Sequence, residues 1–347
     1  MGVKLGSLVE ARRVTVADLA GRRIAIDGHN ILYQFLSSIR SRQGDPLRDR
    51  KGRVTSHLSG LIYRNSRLIE AGIKLVYVFD GRPHSFKAQV IRERRQTRRK
   101  AQIKYDSAVK EGRVEDARRF AQATAKVNVD IIGDAKRLLT LMGVPWVQAP
   151  EEGEAQSAFM ATKGDVWASG SQDFDSLLFG APVLVRNLNI TGRRKLPRKN
   201  VYVKVEPEII ELGKFLRELE LTREQLIDIG ILVGTDYNPK GIKGIGPKTA
   251  LKLIKKHGSI ENAIPFMKNP EFPHPLDEIR ELFADPATEK DYSLVWRPSD
   301  HDGIIGFLCG ERDFDRSRLA KALERMDKGF SRATERTTLD QWFRAPV

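Results

Sequence analysis

Seven carboxylates stand at the ends of apolar runs: Asp27, Asp80, Glu152, Glu154, Asp173, Asp175 and Asp236. Asp27 closes RRIAID and Asp80 closes KLVYVFD; Glu152 and Glu154 follow VPWVQAPE, Asp173 and Asp175 follow DVWASGSQ, and Asp236 ends ILVGTD. Any one of them could be an Asx turn, a helix N-cap or a complement to a helix dipole. As a set, and paired i, i+2 in EGE and DFD, they can reach neighbouring ions from one turn. Mutually repelling acids need hard cations to hold them together, and an oxygen-only donor set suits Mg²⁺, with Mn²⁺ able to substitute. Two such ions can clamp the attacking and leaving oxygens of a phosphodiester. The predicted chemistry is metal-dependent phosphodiester hydrolysis.

Such convergence requires separate strands to deliver the acids to one place. β-branched apolar runs of this length predict buried strands, and ligands of open α/β sheets sit at the strands' carboxyl ends. Strands are expected in RRIAID, KLVYVFD, VPWVQA, 165–170 and PVLVRN, with helices between them, and helices dominate from about 206 to 330. Strands separated by helices imply an α/β fold, a mostly parallel central sheet flanked by helices. The expected layout is a single body over 1–330, containing a basic helical insertion at 84–126 and a helix-hairpin-helix element at 224–257. A polar tail follows over 331–347.

Composition narrows the partners. The chain has 347 residues and a formal charge of +15, which favours a polyanion. No apolar run is long enough to span a membrane, and the N-terminus lacks a signal-peptide core. Gly6 stands where a myristoylation pattern needs Ser or Thr. The single cysteine, Cys309, excludes internal disulfides and cysteine zinc sites, and IIGFLC predicts it as a small buried apolar residue. A carboxylate site needs no imidazole, so His29, His57 and His84 are expected to be structural or backbone-contacting.

Two basic constellations point to nucleic acid. In GIKGIGPKTALKLI, Gly241, Gly244 and Gly246 permit a tight turn and Pro247 suits the first position of a helix. Free amides there, through Thr249, make a phosphate site to which Lys243 and Lys248 add charge. This helix-hairpin-helix pattern grips a backbone without reading bases. The segment 84–126 carries Lys87, Arg92, Arg94, Arg95, Arg98, Arg99, Lys100 and Lys104 against few acids. Beside a phosphate-cleaving centre, a basic arch would funnel single strands.

Taken together, IAIDGHNILYQF, TSHLSGLIYR, VFDGRP, APEEGEAQ, SQDFDSLLFG, LVGTDYNPKGIKGIGPKTA and TTLDQWF resemble the flap endonucleases, over nearly the whole chain. The resemblance implies a structure-specific 5′ nuclease of DNA replication and repair, with possible 5′ exonuclease activity. It implies that Asp27, Asp80, Glu152 and Glu154 surround one Mg²⁺ and Asp173, Asp175 and Asp236 a second. Lys87 and Arg94 would contact the scissile phosphate, and Tyr33 would stack on a base near the cut. Residues 84–126 would form the gateway and cap for the 5′ flap, and the hairpin would hold duplex, with a K⁺ ion. Gly2 and Thr55 fall in the parts that accept a 3′ flap nucleotide.

The tail resembles a sliding-clamp box with Leu339, Trp342 and Phe343 as plug residues, although Arg336 stands where the family has Gln. The chain ends without the basic extension of eukaryotic members, which implies an archaeal, cytoplasmic, nucleoid-associated protein. A monomer bound to branched DNA and the clamp, with no membrane contact, is expected. The alternatives are a 5′ exonuclease of the same superfamily and a catalytically silent DNA-junction scaffold recruited to the clamp.

Overall fold

The computed structural model describes residues 2–41, 44–189, 193–195 and 202–343. At 114, 118, 122, 193–195, 202–204 and 333–343 the backbone alone is described. The strands are β1 (Arg12–Arg13), β2 (Arg23–Asp27), β3 (Lys74–Phe79), β4 (Trp146–Gln148), β5 (Ala168–Gly170), β6 (Val183–Arg186), β7 (Arg193–Lys195), β8 (Tyr202–Lys204) and β9 (Glu208–Glu211). The first seven helices are α1 (Gly28–Ser38), α2 (Ser56–Glu70), α3 (Ala88–Lys110), α4 (Val114–Ala123), α5 (Val129–Leu141), α6 (Gly153–Thr162) and α7 (Asp175–Leu178). The rest are α8 (Leu212–Leu219), α9 (Arg223–Val233), α10 (Pro247–His257), α11 (Ile260–Ala263), α12 (Leu276–Ala284), α13 (His301–Ile305) and α14 (Arg316–Phe343).

Seven strands form one sheet in the order β1-β9-β6-β5-β2-β3-β4. β6, β5, β2, β3 and β4 are parallel, and β9 runs antiparallel to β6. The mostly parallel sheet expected from the sequence is therefore present. β2 and β3 are buried beyond their first residues, as continuous apolar strands covered on both faces must be. One face carries Ile24, Ile26, Leu75, Tyr77 and Phe79 against α1, α2 and α5; Ala25, Val76 and Val78 meet Met160 of α6 on the other. Complete burial of Tyr77 and Phe79 is worth roughly 1.5–3 kcal/mol each. The buried Tyr77 hydroxyl donates to Asn65 at 2.9 Å, so the ring is buried without an orphaned polar atom.

The chain runs outward from β2 to β3 and β4, then returns past β2 to β5. That reversal opens a crevice beyond the carboxyl ends of β2 and β5. A second core, from Leu177, Phe215, Ile229, Ala250 and Phe283, fixes the helical portion beside it. Within this portion Arg280 of α12 reaches Asp228 of α9 at 2.7 Å.

Several local expectations are corrected. Residues 208–211, read as part of a helical region, form β9, because EIIE is too short to separate a 3.6-residue period from a 2-residue one. Residues 286–300 have no regular structure; Tyr292, Leu294 and Trp296 form a strap across the sheet, with the Trp296 indole donating to the Leu75 carbonyl at 2.8 Å. Strands β1, β7 and β8 were not anticipated. Cys309 is only half-buried. Helix α14 passes residue 331 without a break and is described through Phe343.

Candidate active site

The acids reach the crevice from several separate elements. Asp27 ends β2 and caps α1, its Oδ1 accepting the Asn30 amide at 3.0 Å. Asp80 follows β3, and its Oδ1 accepts the Gly153 amide at 2.8 Å, at the positive end of α6. Glu152 caps α6 and Glu154 lies in its first turn. Asp173 and Asp175 lie where β5 passes into α7, and Asp236 in the turn after α9. The Ser171 hydroxyl donates to Glu154 at 2.8 Å and stands 3.5 Å from Asp27. Asn30 donates its side-chain amide to Asp173 at 3.0 Å, and the Val3 amide donates to Asp175 at 2.6 Å. A Cβ at Gly2 would come within 2.7 Å of Asp175, so the N-terminal segment lies this close to the acids only with glycine there.

Burial, then Asp80, Asp173 and Glu152, push the Asp27 carboxyl well above its ordinary range. Glu154 is raised in the same way by burial and by Asp175, Asp27 and Asp173. Burial, with Asp236 and Asp173 beside it, lifts Asp175 to about 7 despite the Val3 hydrogen bond. Glu152 is raised by burial even with an ammonium beside it. These influences interleave, Asp27 with Asp173 and Glu152 with Asp236, so the acids crowd a single crevice.

Cations enter from the helical insertion. Lys87 Nζ bonds Glu152 and stands 3.3 Å from Asp236, while Arg94 meets Asp236 at 2.6 Å. Burial alone would lower Lys87, but Glu152 and Asp236 outweigh it and hold the ammonium above its ordinary range. The Tyr237 ring lies 5.2 Å from the same ammonium.

Among the described residues no three acid or imidazole groups close on a point as a finished coordination sphere. Lys87 and the Ser171 hydroxyl stand between them instead. That spacing fits Mg²⁺, which keeps several waters and uses few carboxylates together with substrate phosphate. A crowded acid set in which Asp27, Glu152, Glu154 and Asp175 are held in raised ranges is also a donor set short of positive charge.

Other sequence-predicted residues fall in varied places. Tyr33 is half-buried with its hydroxyl 3.4 Å from Arg98 of α3. Thr55 is 5% exposed at the start of α2, so DNA contact there would run through its neighbours. Lys243, Gly244, Gly246, Lys248 and Thr249 are exposed at the start of α10, where first-turn amides lack helical partners. Gly241 differs. Its amide is engaged by the Asn238 carbonyl, and at φ 54° a Cβ would lie 2.5 Å from Val233, so it shapes the turn rather than offering a donor. The side chains of Leu339, Trp342 and Phe343 lie outside the described residues.

His29 accepts the Asp80 amide at 3.1 Å and His84 the Phe86 amide at 3.3 Å, both backbone contacts. Sequence reasoning missed Ser171, Asn30, the Val3 amide and Tyr237. Ser171 and Asn30 sit two and three residues from an acid, a weak signal; Val3 gives none.

A pH dependence follows. Asp175 has its folded pKa raised from 3.8 to about 7, so the stability it contributes is full below 3.8 and lost as pH rises through 7. In EDTA, Asp175→Asn is expected to match the wild type near pH 4 and to exceed it increasingly up to about pH 7. The excess should then level off at on the order of 2–4 kcal/mol. Urea unfolding at several pH values measures it; a pH-independent difference would contradict the burial argument.

An acid-lined crevice faced by a cationic helix defines a phosphodiester-cleaving α/β protein of the XPG type: residues 1–101 match the XPG N-terminal domain and 143–236 the XPG I-region. The chain is 54% identical over 343 residues to Flap endonuclease 1 of Pyrococcus abyssi, covering 99% of this chain and 98% of that protein. The solved flap endonuclease-1 from Methanococcus jannaschii superposes with a TM-score of 0.74 at 40% identity, over 96% of this chain and 100% of that one. The catalytic core of Rad2 in complex with DNA substrate shares the fold at a TM-score of 0.68 and 24% identity, over 93% of this chain and 97% of that one. This chain belongs to the flap endonuclease family.

Proposed function

We propose that this protein is a structure-specific endonuclease that cuts a DNA phosphodiester where a 5′ flap meets duplex, in replication and repair. The observation that carries this is the meeting of Lys87 and Arg94 with the acid cluster, where the two cations lie on Glu152 and Asp236. A scissile phosphate entering between them would take over those contacts. Asp27, Asp80, Glu152 and Glu154 would hold one divalent ion and Asp173, Asp175 and Asp236 a second. Bound Mg²⁺, or Mn²⁺ in its place, supplies the charge that activates water and neutralises the departing 3′ oxygen.

The chain's own residues orient and neutralise. Lys87 and Arg94 stabilise charge on the phosphate, the role of preorganised cations. Tyr33 stacks on a base near the cut, and Gly2 and Thr55 shape the seat of a 3′ flap nucleotide. The insertion α3–α4 passes the 5′ flap; its helices pack on each other with Ala101, Ala108, Ala117 and Ala121 buried, leaving its arginines to the strand. The amides of Gly244, Gly246, Lys248 and Thr249, with Lys243, grip duplex phosphates, and a K⁺ ion would sit in that turn. Specificity comes from shape, because these groups reach backbone rather than base edges.

The decisive experiment incubates the full chain with labelled double-flap DNA. Cleavage near the junction with Mg²⁺, none with EDTA, and weaker action on gapped duplex without a flap are expected. Binding without product in Mg²⁺ would favour the silent scaffold, and preference for the gapped duplex the exonuclease.

The protein acts as a monomer at the nucleoid, in the cytoplasm, and no helix among its described residues is long and apolar enough to cross a membrane. Leu339, Trp342 and Phe343, at i, i+3, i+4 spacing, would plug a sliding clamp. Trp342→Ala with Phe343→Ala is expected to remove clamp binding and clamp stimulation while leaving clamp-independent cleavage unchanged. A joint fall in melting temperature and basal cleavage would instead place the tail on its own body.

A further inference from the structure

We propose that a ring stack between His274 and Phe86 latches the foot of the helical insertion and so positions Lys87, making His274 a positioning residue for cleavage. The rings are parallel within 3° and their centroids are 3.6 Å apart. Phe86 lies in the 3₁₀ turn Ser85–Lys87, directly before the lysine that joins Glu152 and Asp236. His84 closes that turn: its ring stands edge-on to Phe86 at 4.7 Å, and its carbonyl accepts the Lys87 amide at 3.0 Å. Displacing Phe86 therefore moves the Lys87 backbone with it.

The opposing loop is built for this task. His274 lies between Pro273 and Pro275, which fix their own φ and restrict the residue between them to extended backbone. Nearby Phe272 and Leu276 pack on the second core, as Phe86 does, so a stiffened segment presents the imidazole. Apolar anchoring of α3 itself is sparse: of its 23 residues only Val90, Ala101 and Ala108 are buried, and polar contacts such as Arg94 with Asp236 and Arg98 with Tyr33 tie it to the body. A misplacement of 1 Å near a reacting centre can cost about 10²-fold in rate, so a stack worth a fraction of that is consequential.

The inference rests on the reading of Lys87 as a phosphate contact. The test compares wild type, His274→Ala and His274→Phe in the full chain, since phenylalanine keeps a stacking ring and removes the imidazole nitrogens. His274→Ala is expected to lose about tenfold in single-turnover flap cleavage, with unchanged Kd for flap DNA and unchanged melting temperature. Amides of residues 84–90 should exchange hydrogen faster. His274→Phe should restore both rate and protection, and adding His274→Ala to Phe86→Ala should cost nothing further. Normal rate and protection in His274→Ala would overturn the latch, as would equal damage in both His274 variants or a rate loss that tracks the melting temperature. Failure of the wild type to cut flap DNA would sink the nuclease reading instead, and hydrogen exchange would still decide whether the stack holds the turn.

Discussion

Alanine at Asp173, and separately at Asp80, is expected to abolish flap cleavage while leaving flap-DNA affinity largely intact. The Asp173 carboxylate accepts from the Asn30 side-chain amide, and the Asp80 carboxylate accepts from the Gly153 backbone amide. Neither contact carries the fold, because both acids lie at a crevice whose other members already repel them. Loss of a group that merely supports a ligand costs about 10–100-fold, so loss of the ligand itself should exceed about 10³-fold. Affinity should hold or tighten, since the hairpin amides and the cations of α3 remain and negative charge near the phosphates falls. Rates in Mg²⁺ beside filter-binding or anisotropy titrations at fixed salt measure both quantities. Near-normal cleavage by both variants would remove these acids from the chemistry. Parallel loss of rate and affinity would make them structural.

The acid cluster was readable in the sequence because the physics that buries a parallel strand also marks its end. RRIAID and KLVYVFD must be apolar through their length, so an aspartate closing each run is conspicuous. Charge asymmetry exposed the helical insertion in the same way, and a glycine-proline turn marked the start of α10. Contacts made across the chain left no such mark. Val3 reaches Asp175 across 172 positions, and no local pattern encodes that amide. Gly241 resembled the donor glycines of its turn, yet its amide is engaged by Asn238, which only backbone geometry reveals. β9 and the strap at 286–300 lacked periodicity long enough to choose an element.

Lys87→Ala and Arg94→Ala should separate chemistry from binding, and the geometry ranks them. Lys87 is 14% exposed between two acids, whereas Arg94 is 40% exposed on one. A preorganised charge acting in a dry site is worth about 10²–10³ in rate, and more than the same charge in water. Lys87→Ala should reach that range in single-turnover rate, with Arg94→Ala lower, and neither should change Kd by more than a few-fold. The lysine carries a second consequence. Removing one member of a buried ion pair leaves the other uncompensated, so Glu152, already raised by burial, should rise further. In EDTA the Lys87→Ala protein should therefore be less stable at pH 8 than at pH 5, by a margin larger than in the wild type. Saturating Mg²⁺ should reduce that margin by supplying the missing charge. An unchanged chemical step with mildly weaker binding in both variants would return the two residues to an ordinary solvated helix face. A rate loss without the pH-dependent instability would keep Lys87 on the phosphate but remove it from the balance of charge among the acids.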